Sequence, residues 1–206
     1  MMYTADFRIY FEDGTVEIRQ GNVFPRPREE EEEKKEWLVL NIGLVESEEQ
    51  LREELKGSSS YRKDLTFNEL LDTQQQRISR EQIKALEPYL VEPTRLARMF
   101  YRVKEAVHPT PYGTSIWSIY DHNGTHLGTV SQQTKYLPLS IIKNRSSYGW
   151  KHTAESYIGR YISNGAFIAG CVLYGISIDV NNCYLNPIVR FDKVVGRIPL
   201  EVVPIG

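Results

Sequence analysis

Apolar residues are interspersed with polar ones over residues 3–11 and again over 15–20. This pattern predicts two β-strands. The Asp13-Gly14 dipeptide lies between them and supplies the positive φ of a tight turn, so the chain is predicted to begin with a β-hairpin. The apolar run Trp37–Val45 predicts one buried strand, because it is rich in Leu, Val and Ile.

The middle of the chain carries start signals for helices. A Ser or Thr three residues before a Glu or Gln satisfies the free amide groups of a first helical turn. Such capping boxes pair Ser47 with Gln50, Thr66 with Glu69, and Ser79 with Gln82. A further helix is predicted to begin at Pro93 and to end before Pro109, because apolar side chains recur there at helical spacing. Those side chains are Leu96, Met99, Phe100, Val103 and Val107.

The Pro- and Gly-containing segment 109–113 predicts a boundary between an N-terminal half, 1–108, and a C-terminal half, 109–206. Short turns separate most of the predicted strands of the second half, and antiparallel pairs follow from such connections. These strands are 115–120, 125–130, 137–142, 176–180 and 184–191. The whole pattern predicts an α+β fold of antiparallel hairpins with a helical middle section.

Two adjacent helices are predicted over 147–158 and 164–174, separated by the helix stop Gly159. A helix, a tight turn, a second helix and then a pair of strands follow one another here. This order is typical of a winged helix-turn-helix. A recognition helix needs polar side chains that reach base edges, yet 166–174 offers only Cys171 and the Tyr174 hydroxyl. We therefore expect the second helix to be buried.

The same stretch carries the most distinctive motif of the chain. It consists of Ser147-Tyr148-Gly149-x-Lys151-His152-x-x-Glu155 and then Tyr161-x-Ser163-Asn164-Gly165-x-Phe167-Ile168-Ala169. The pattern resembles one in small uncharacterised proteins of phages and prophages, which usually have Leu at the position of Trp150. The resemblance covers about residues 139–185 and implies a mobile-element origin more than an activity. By analogy, it also implies inhibition of a host factor or a defence system.

The formal net charge of -2 excludes a histone-like polycation and a uniformly acidic mimic of nucleic acid. The charge is unevenly distributed, however. Segment 26–56 has a net charge of -5, whereas segments 77–104 and 135–160 each have a net charge of +4. Five consecutive acidic residues in the first segment predict a solvated loop or, alternatively, an acidic finger that competes for a nucleic-acid groove. They are Glu29, Glu30, Glu31, Glu32 and Glu33.

The basic segments supply candidate phosphate contacts. On the helix predicted after Pro93, three arginines at i, i+3 and i+7 form one stripe, which either tracks a phosphate backbone or is a solvated face. They are Arg95, Arg98 and Arg102. The second basic segment is expected to meet phosphates rather than base edges, unless it is only a packing motif. Its candidates are Lys143, Arg145, Lys151, His152 and Arg160.

Other chemistry receives less support. Cys171 and Cys183 lie in apolar surroundings and form no disulfide framework, which favours the cytoplasm, as does the lack of a signal-peptide pattern. The longest apolar stretch, 166–176, is shorter than the roughly 18 residues of a membrane span. Asp121, His122 and His126 are metal-ligand types, but a hairpin turn explains their positions. No cofactor or metal is expected.

Three hypotheses follow from the sequence. The leading one is a non-enzymatic phage or mobile-element accessory protein that binds nucleic acid or a nucleoprotein through its basic segments. The second is a protein-protein inhibitor of a host defence complex that uses Glu29–Glu33 and exposed tyrosines. The third is an enzyme with a dispersed site, which a cleft joining His152 to carboxylates would favour.

Overall fold

The computed structural model describes residues 2–24, 36–59, 61–96, 101–109, 115–121, 126–131, 145–180 and 185–191. Within these ranges the chain forms strands β1 Tyr3–Tyr10, β2 Val16–Phe24, β3 Glu36–Leu40, β4 Gly43–Val45, β5 Tyr101–Pro109, β6 Ser115–Asp121, β7 His126–Ser131, β8 Ser177–Asp179 and β9 Ile188–Arg190. Its helices are α1 Glu48–Leu55, α2 Phe67–Thr73, α3 Arg80–Val91, α4 Ser147–Ile158 and α5 Asn164–Leu173. The α+β class is confirmed.

The main sheet has six strands in the order β4-β3-β1-β2-β8-β9, and a second sheet has the order β5-β6-β7. In the main sheet β1 pairs with β2, β3 with β4 and β8 with β9 in antiparallel orientation. The pairs β1–β3 and β2–β8 are parallel, so the sheet is mixed rather than made only of antiparallel pairs. Parallel neighbours lie far apart in the sequence, and short turns between strands do not reveal them.

Helices cover both faces of the main sheet. On one face, Phe7 and Ile9 of β1 share a buried cluster with apolar side chains of α3, α4 and α5. On the other face, Tyr10 packs with Leu40 and with apolar side chains of α1 and α2. Helix α5 is buried from Asn164 to Val172, as its almost wholly apolar sequence predicts. It is therefore a core helix and not a recognition helix.

The three predicted helix caps are confirmed. Ser47, Thr66 and Ser79 each accept a hydrogen bond from the amide three residues later. At Thr66 the capping box is complete, because the Glu69 carboxylate also accepts the Thr66 amide. These local signals place α1, α2 and α3 correctly.

The prediction of one buried strand over Trp37–Val45 is wrong. The run folds back on itself as the antiparallel pair β3–β4, with Leu40 opposite Gly43. Gly43 has a φ of +146°, a conformation that residues with a side chain rarely adopt. The run is mostly apolar because both sheet faces are covered there: Trp37 belongs to one cluster and Leu40 to the other.

The prediction of one helix that begins at Pro93 and ends before Pro109 is also wrong. A helical turn at 94–96 is followed by strand β5, which pairs with β6. Apolar residues at 101, 103 and 107 also fit a period of two, so a partner strand decides between helix and strand. Arg95 and Arg102 consequently belong to different elements, and they do not form one helical stripe.

The boundary expected at residue 108 does not divide the core. Strands β1–β4 come from the predicted N-terminal half and β8 and β9 from the C-terminal half, yet they form one sheet. Helix α5 of the second half packs against β2, β3 and β4 of the first. Several predicted features lie outside the described residues: the strand over 137–142, the acidic residues Glu29–Glu33, and Arg98 and Lys143.

Candidate functional site

Helix α4 carries the most distinctive motif of the sequence, and local signals fix both of its ends. The Ser146 hydroxyl accepts a hydrogen bond from the Gly149 amide at 3.3 Å. Gly159 ends the helix with a φ of +72°, and its amide donates to the Glu155 carbonyl at 2.8 Å. Within these limits, residues three and four positions apart lie on one face of α4.

Lys151 and Glu155 form an ion pair four residues apart, with Nζ 2.9 Å from Oε1. Their side chains are only 5% and 17% exposed. The Lys151 ammonium also donates to the Ile162 carbonyl at 3.2 Å, and the Ile162 amide donates to the Glu155 carboxylate at 3.0 Å. The pair therefore joins α4 to the segment that leads into α5.

His152 completes this arrangement, with Nδ1 2.6 Å from Glu155 Oε2. Burial raises the pKa of the Glu155 carboxyl, but hydrogen bonds from Lys151, the Ile162 amide and His152 outweigh burial, and the pKa lies below its ordinary value. The ionised carboxylate only accepts hydrogen bonds, so Nδ1 of His152 carries the proton. The His152 side chain, which also carries the second ring nitrogen Nε2, is 43% exposed.

Two tyrosine rings flank the Lys151 ammonium. Its Nζ lies 5.0 Å from the ring centroid of Tyr148 and 4.9 Å from that of Tyr161, within the range of cation–π attraction. The Tyr148 ring also meets His152 edge to face at 4.6 Å. Tyr148 is 49% exposed and Tyr161 is 63% exposed. We call Tyr148, Lys151, His152, Glu155 and Tyr161 the α4 cluster.

Two predicted arginines lie at the ends of α4. Arg145 donates to the Thr153 hydroxyl at 2.7 Å, and its guanidinium lies 5.1 Å from the Trp150 ring centroid. Arg160 binds Glu81 of α3, with Nη1 3.1 Å from the carboxylate and Nη2 3.2 Å from the carbonyl oxygen. The Arg160–Glu81 contact links the end of α4 to α3.

Arg95 lies beside the same helix, because its carbonyl accepts a hydrogen bond from the Tyr157 hydroxyl at 3.0 Å. Its guanidinium pairs with Glu92 at 2.7 Å. The structure thus places Arg95, Arg145, Lys151, His152 and Arg160 on or next to α4, whereas Arg102 lies on β5.

Lys151 must be removed from the predicted phosphate contacts. A phosphate contact requires an accessible ammonium group, but this one is buried and bonded to Glu155 and Ile162. Conversely, the list of candidates drawn from the sequence omitted Tyr148, Glu155 and Tyr161. The i, i+4 spacing of Lys151 and Glu155 was the available signal for the ion pair, whereas the position of Tyr161 depends on the turn after Gly159.

Another feature of the described chain is a cavity of about 530 Å³ beside β8 and β9. Its lining includes Leu90, Ile176 and Phe191 together with Arg190. Arg190 donates to the Asp179 carboxylate at 2.9 Å, which balances its charge. This cavity suits apolar groups better than phosphate.

Among the described residues, no three His, Cys, Asp or Glu side chains are grouped as metal ligands would be. Cys171 is fully buried, and this burial raises the pKa of its thiol. None of the described helices is both long and apolar enough to cross a membrane.

No protein-family model matches this chain, and neither a curated protein nor a solved structure matches it significantly.

Proposed function

We propose that this protein binds single-stranded nucleic acid through the α4 cluster, with Arg145 and Arg160 beside it. The observation that carries the proposal is the pair of exposed rings, Tyr148 and Tyr161, each about 5 Å from the same buried ammonium. Unpaired bases expose their faces, and stacking of a base on an aromatic side chain contributes about 1–3 kcal/mol. Two rings that flank one cation offer two such stacking surfaces.

The surroundings of the rings support stacking. Tyr148 contacts His152, which in turn is bonded to Glu155, so the first ring belongs to a connected network. Tyr161 lies over the ammonium of Lys151, which the same carboxylate holds in place. Aromatic groups held in this way lose little conformational freedom when a ligand binds.

Arg145 and Arg160 supply the expected contacts to phosphate. The Arg160–Glu81 pair is exposed, with side-chain exposures of 42% and 78%. Exposed ion pairs contribute at most about 1 kcal/mol, so a phosphate can replace the carboxylate at small cost. The sequence segment 135–160, with its net charge of +4, adds a long-range attraction for a polyanion.

A protein partner is the second candidate function. Arg95, His152 and Arg160 each have an acidic neighbour in the fold, which reduces the attraction for phosphate. Exposed tyrosines and arginines are typical of energetically important positions in protein interfaces. In this alternative the acidic residues Glu29–Glu33 of the sequence bind the partner, and the protein inhibits a host defence complex. Because the sequence motif resembles one in phage proteins, we propose that the protein is an accessory protein of a mobile element under either candidate function.

Fluorescence anisotropy with labelled oligo-dT, oligo-U and a duplex, each about 20 nucleotides long, tests the proposal at about 50 and 200 mM salt. We expect tighter binding of the single strands and weaker binding at the higher salt concentration. Tyr148→Ala and Tyr161→Ala should each weaken binding at least about fivefold, whereas Tyr148→Phe and Tyr161→Phe retain the stacking ring and the affinity.

Lys56→Ala is a matched control for charge, because Lys56 forms an exposed ion pair with Glu53 on α1, and α1 and α4 belong to different hydrophobic clusters. The absence of binding to all three probes at low salt overturns the proposal. Equal losses of affinity in the Phe and Ala variants also contradict the proposal, because the Phe variants keep the stacking rings. Binding that does not respond to salt contradicts the phosphate contacts proposed for Arg145 and Arg160.

A further inference from the structure

Among the described strands, β2 is paired along the whole of one edge but only at the end of the other. On one side it pairs with β1 without interruption, from Val16 opposite Tyr10 to Val23 opposite Tyr3. On the other side β8 pairs only with Val23 and Phe24. No strand in the described part of the chain pairs with 16–22 on that side.

Backbone hydrogen bonds show which residues face the open side. The Phe11 amide donates to the Thr15 carbonyl at 3.0 Å, so odd-numbered residues of this strand direct their amides and carbonyls towards β1. The Val180 amide donates to the Phe24 carbonyl at 3.5 Å, on the opposite side. Successive residues alternate, so Val16, Ile18, Gln20 and Asn22 direct these groups away from β1.

The side chains along this edge favour pairing with another strand. Val16 is 43% exposed and Ile18 is 55% exposed, and both are β-branched. Proteins commonly protect such an edge with a proline, a bulge or charged side chains, and the charged residues of this strand, Glu17 and Arg19, have opposite signs. Strand β2 contains no proline, and its register with β1 has no bulge. The open edge therefore presents a regular template for a further strand.

We propose that this edge pairs with the same edge of a second copy of the chain, in antiparallel orientation and centred on Ile18. In this register Glu17 of each copy lies opposite Arg19 of the other copy, because the pair is symmetric. Ile18 of one copy lies opposite Ile18 of the other, and the outward amides and carbonyls of the two residues form a hydrogen-bonded pair.

Neighbouring registers lack this complementarity. Centring the pair on Glu17 places two carboxylates directly opposite each other, and centring it on Arg19 places two guanidinium groups opposite each other. Directly opposed like charges destabilise a strand pair. The register centred on Ile18 is therefore favoured over these two by its charges.

The local charge does not oppose association. Arg80 binds Asp13 and Glu17, each at 2.8 Å, and Arg19 binds Glu17 at 2.8 Å. Two carboxylates and two guanidinium groups thus balance next to the open edge. Pairing also covers Ile18 and Val16, and burial of apolar surface favours association.

Light scattering coupled to size-exclusion chromatography tests the proposal, with the full chain at about 10 to 500 µM. We expect the wild-type mass to rise from the monomer towards the dimer. Gln20→Pro removes an outward amide that β1 does not use, so the variant should fold and remain monomeric. Gln20→Ala keeps the amide and should dimerise like the wild type. Circular dichroism verifies that both variants fold.

Charge reversal tests the register independently. Arg19→Glu should abolish the dimer, and the double variant Glu17→Arg/Arg19→Glu should restore it, because opposite charges again lie across the interface. A wild-type chain that remains monomeric throughout overturns the proposal. A dimer that persists in Gln20→Pro also overturns the proposal, because its interface does not include this edge of β2. Loss of the dimer in Arg19→Glu without recovery in the double variant overturns the register.

Discussion

Lys151 and Glu155 form a nearly buried ion pair on α4, 2.9 Å apart and four residues apart in the sequence. Their contacts with Ile162 link this helix to the segment before the core helix α5. The tyrosines of the α4 cluster are placed around this pair. The ion pair is therefore both a structural link and the support of the proposed binding surface.

Lys151→Met should lower the free energy of unfolding by about 3 kcal/mol, because it leaves the Glu155 carboxylate buried without its ammonium partner. Urea denaturation followed by circular dichroism measures the change. Lys63→Met is the matched control, since Lys63 is exposed, and it should change stability by less than about 0.5 kcal/mol. Equal effects of the two substitutions contradict a structural role for the pair.

The double variant Lys151→Met/Glu155→Leu should be more stable than Lys151→Met alone. Replacement of both charges by apolar groups removes the uncompensated carboxylate, and such replacements of buried pairs are often neutral. Thermal or urea denaturation of the two variants under the same conditions gives the comparison. A double variant less stable than the single one shows that the Glu155 contacts with His152 and Ile162 matter more than the buried charge.

Gly165→Ala should destabilise the fold by at least about 3 kcal/mol or prevent folding. A β-carbon at this position would lie 1.7 Å from the Leu40 carbonyl oxygen, which belongs to the backbone of β3. Gly57→Ala is the control, because a β-carbon there has nothing within 4 Å. Soluble yield and urea denaturation compare the variants. A stable Gly165→Ala protein is incompatible with this close packing of α5 on the sheet.

Stability should fall as the pH decreases below about 5. The pKa of Glu155 is lower in the fold than its ordinary value of 4.5, so its ionised form stabilises the fold above that value. The contribution disappears as the pH falls through the lowered pKa. Unfolding free energies of wild type and Glu155→Gln at about pH 6 and pH 3 measure it. The variant should show the smaller decrease, and an equal decrease assigns the pH dependence to other carboxyl groups.

Glu81→Gln should strengthen binding of oligo-dT, whereas Arg160→Gln should weaken it. The first substitution removes the carboxylate that pairs with Arg160, and the second removes the proposed phosphate contact itself. Anisotropy titrations at about 50 mM salt give both affinities. If the two substitutions change affinity in the same direction, Arg160 does not bind phosphate in the way proposed.

Local signals in the sequence were sufficient for several elements. The caps at Ser47, Thr66 and Ser79 depend on contacts within four residues, and the helices begin where these caps predict. Gly159 likewise ends α4 as predicted, because a left-handed residue stops a helix locally. The burial of α5 followed from its apolar composition, since its sequence leaves no polar face for solvent.

Predictions that needed a distant partner were less successful. Residues 101–107 fit both a helical and a strand pattern, and pairing with β6 determined the strand. The apolar pattern from Trp37 to Val45 did not indicate that the chain reverses between Leu40 and Gly43. The predicted phosphate contacts were incomplete for the same reason, because the sequence does not show that Glu81 lies beside Arg160.

By itself the sequence determined the α+β class, the caps of α1–α3 and the wholly buried nature of α5, because propensity, capping and hydrophobic pattern act over a few residues. Only the tertiary structure decided that β1 lies parallel to β3 and β2 to β8, and that both predicted halves share one core. It also placed Tyr161 over Lys151 and, among the described strands, left residues 16–22 of β2 without a partner on one side. These relationships join residues that are brought together only when the sheet and helices pack, and a local pattern does not encode them.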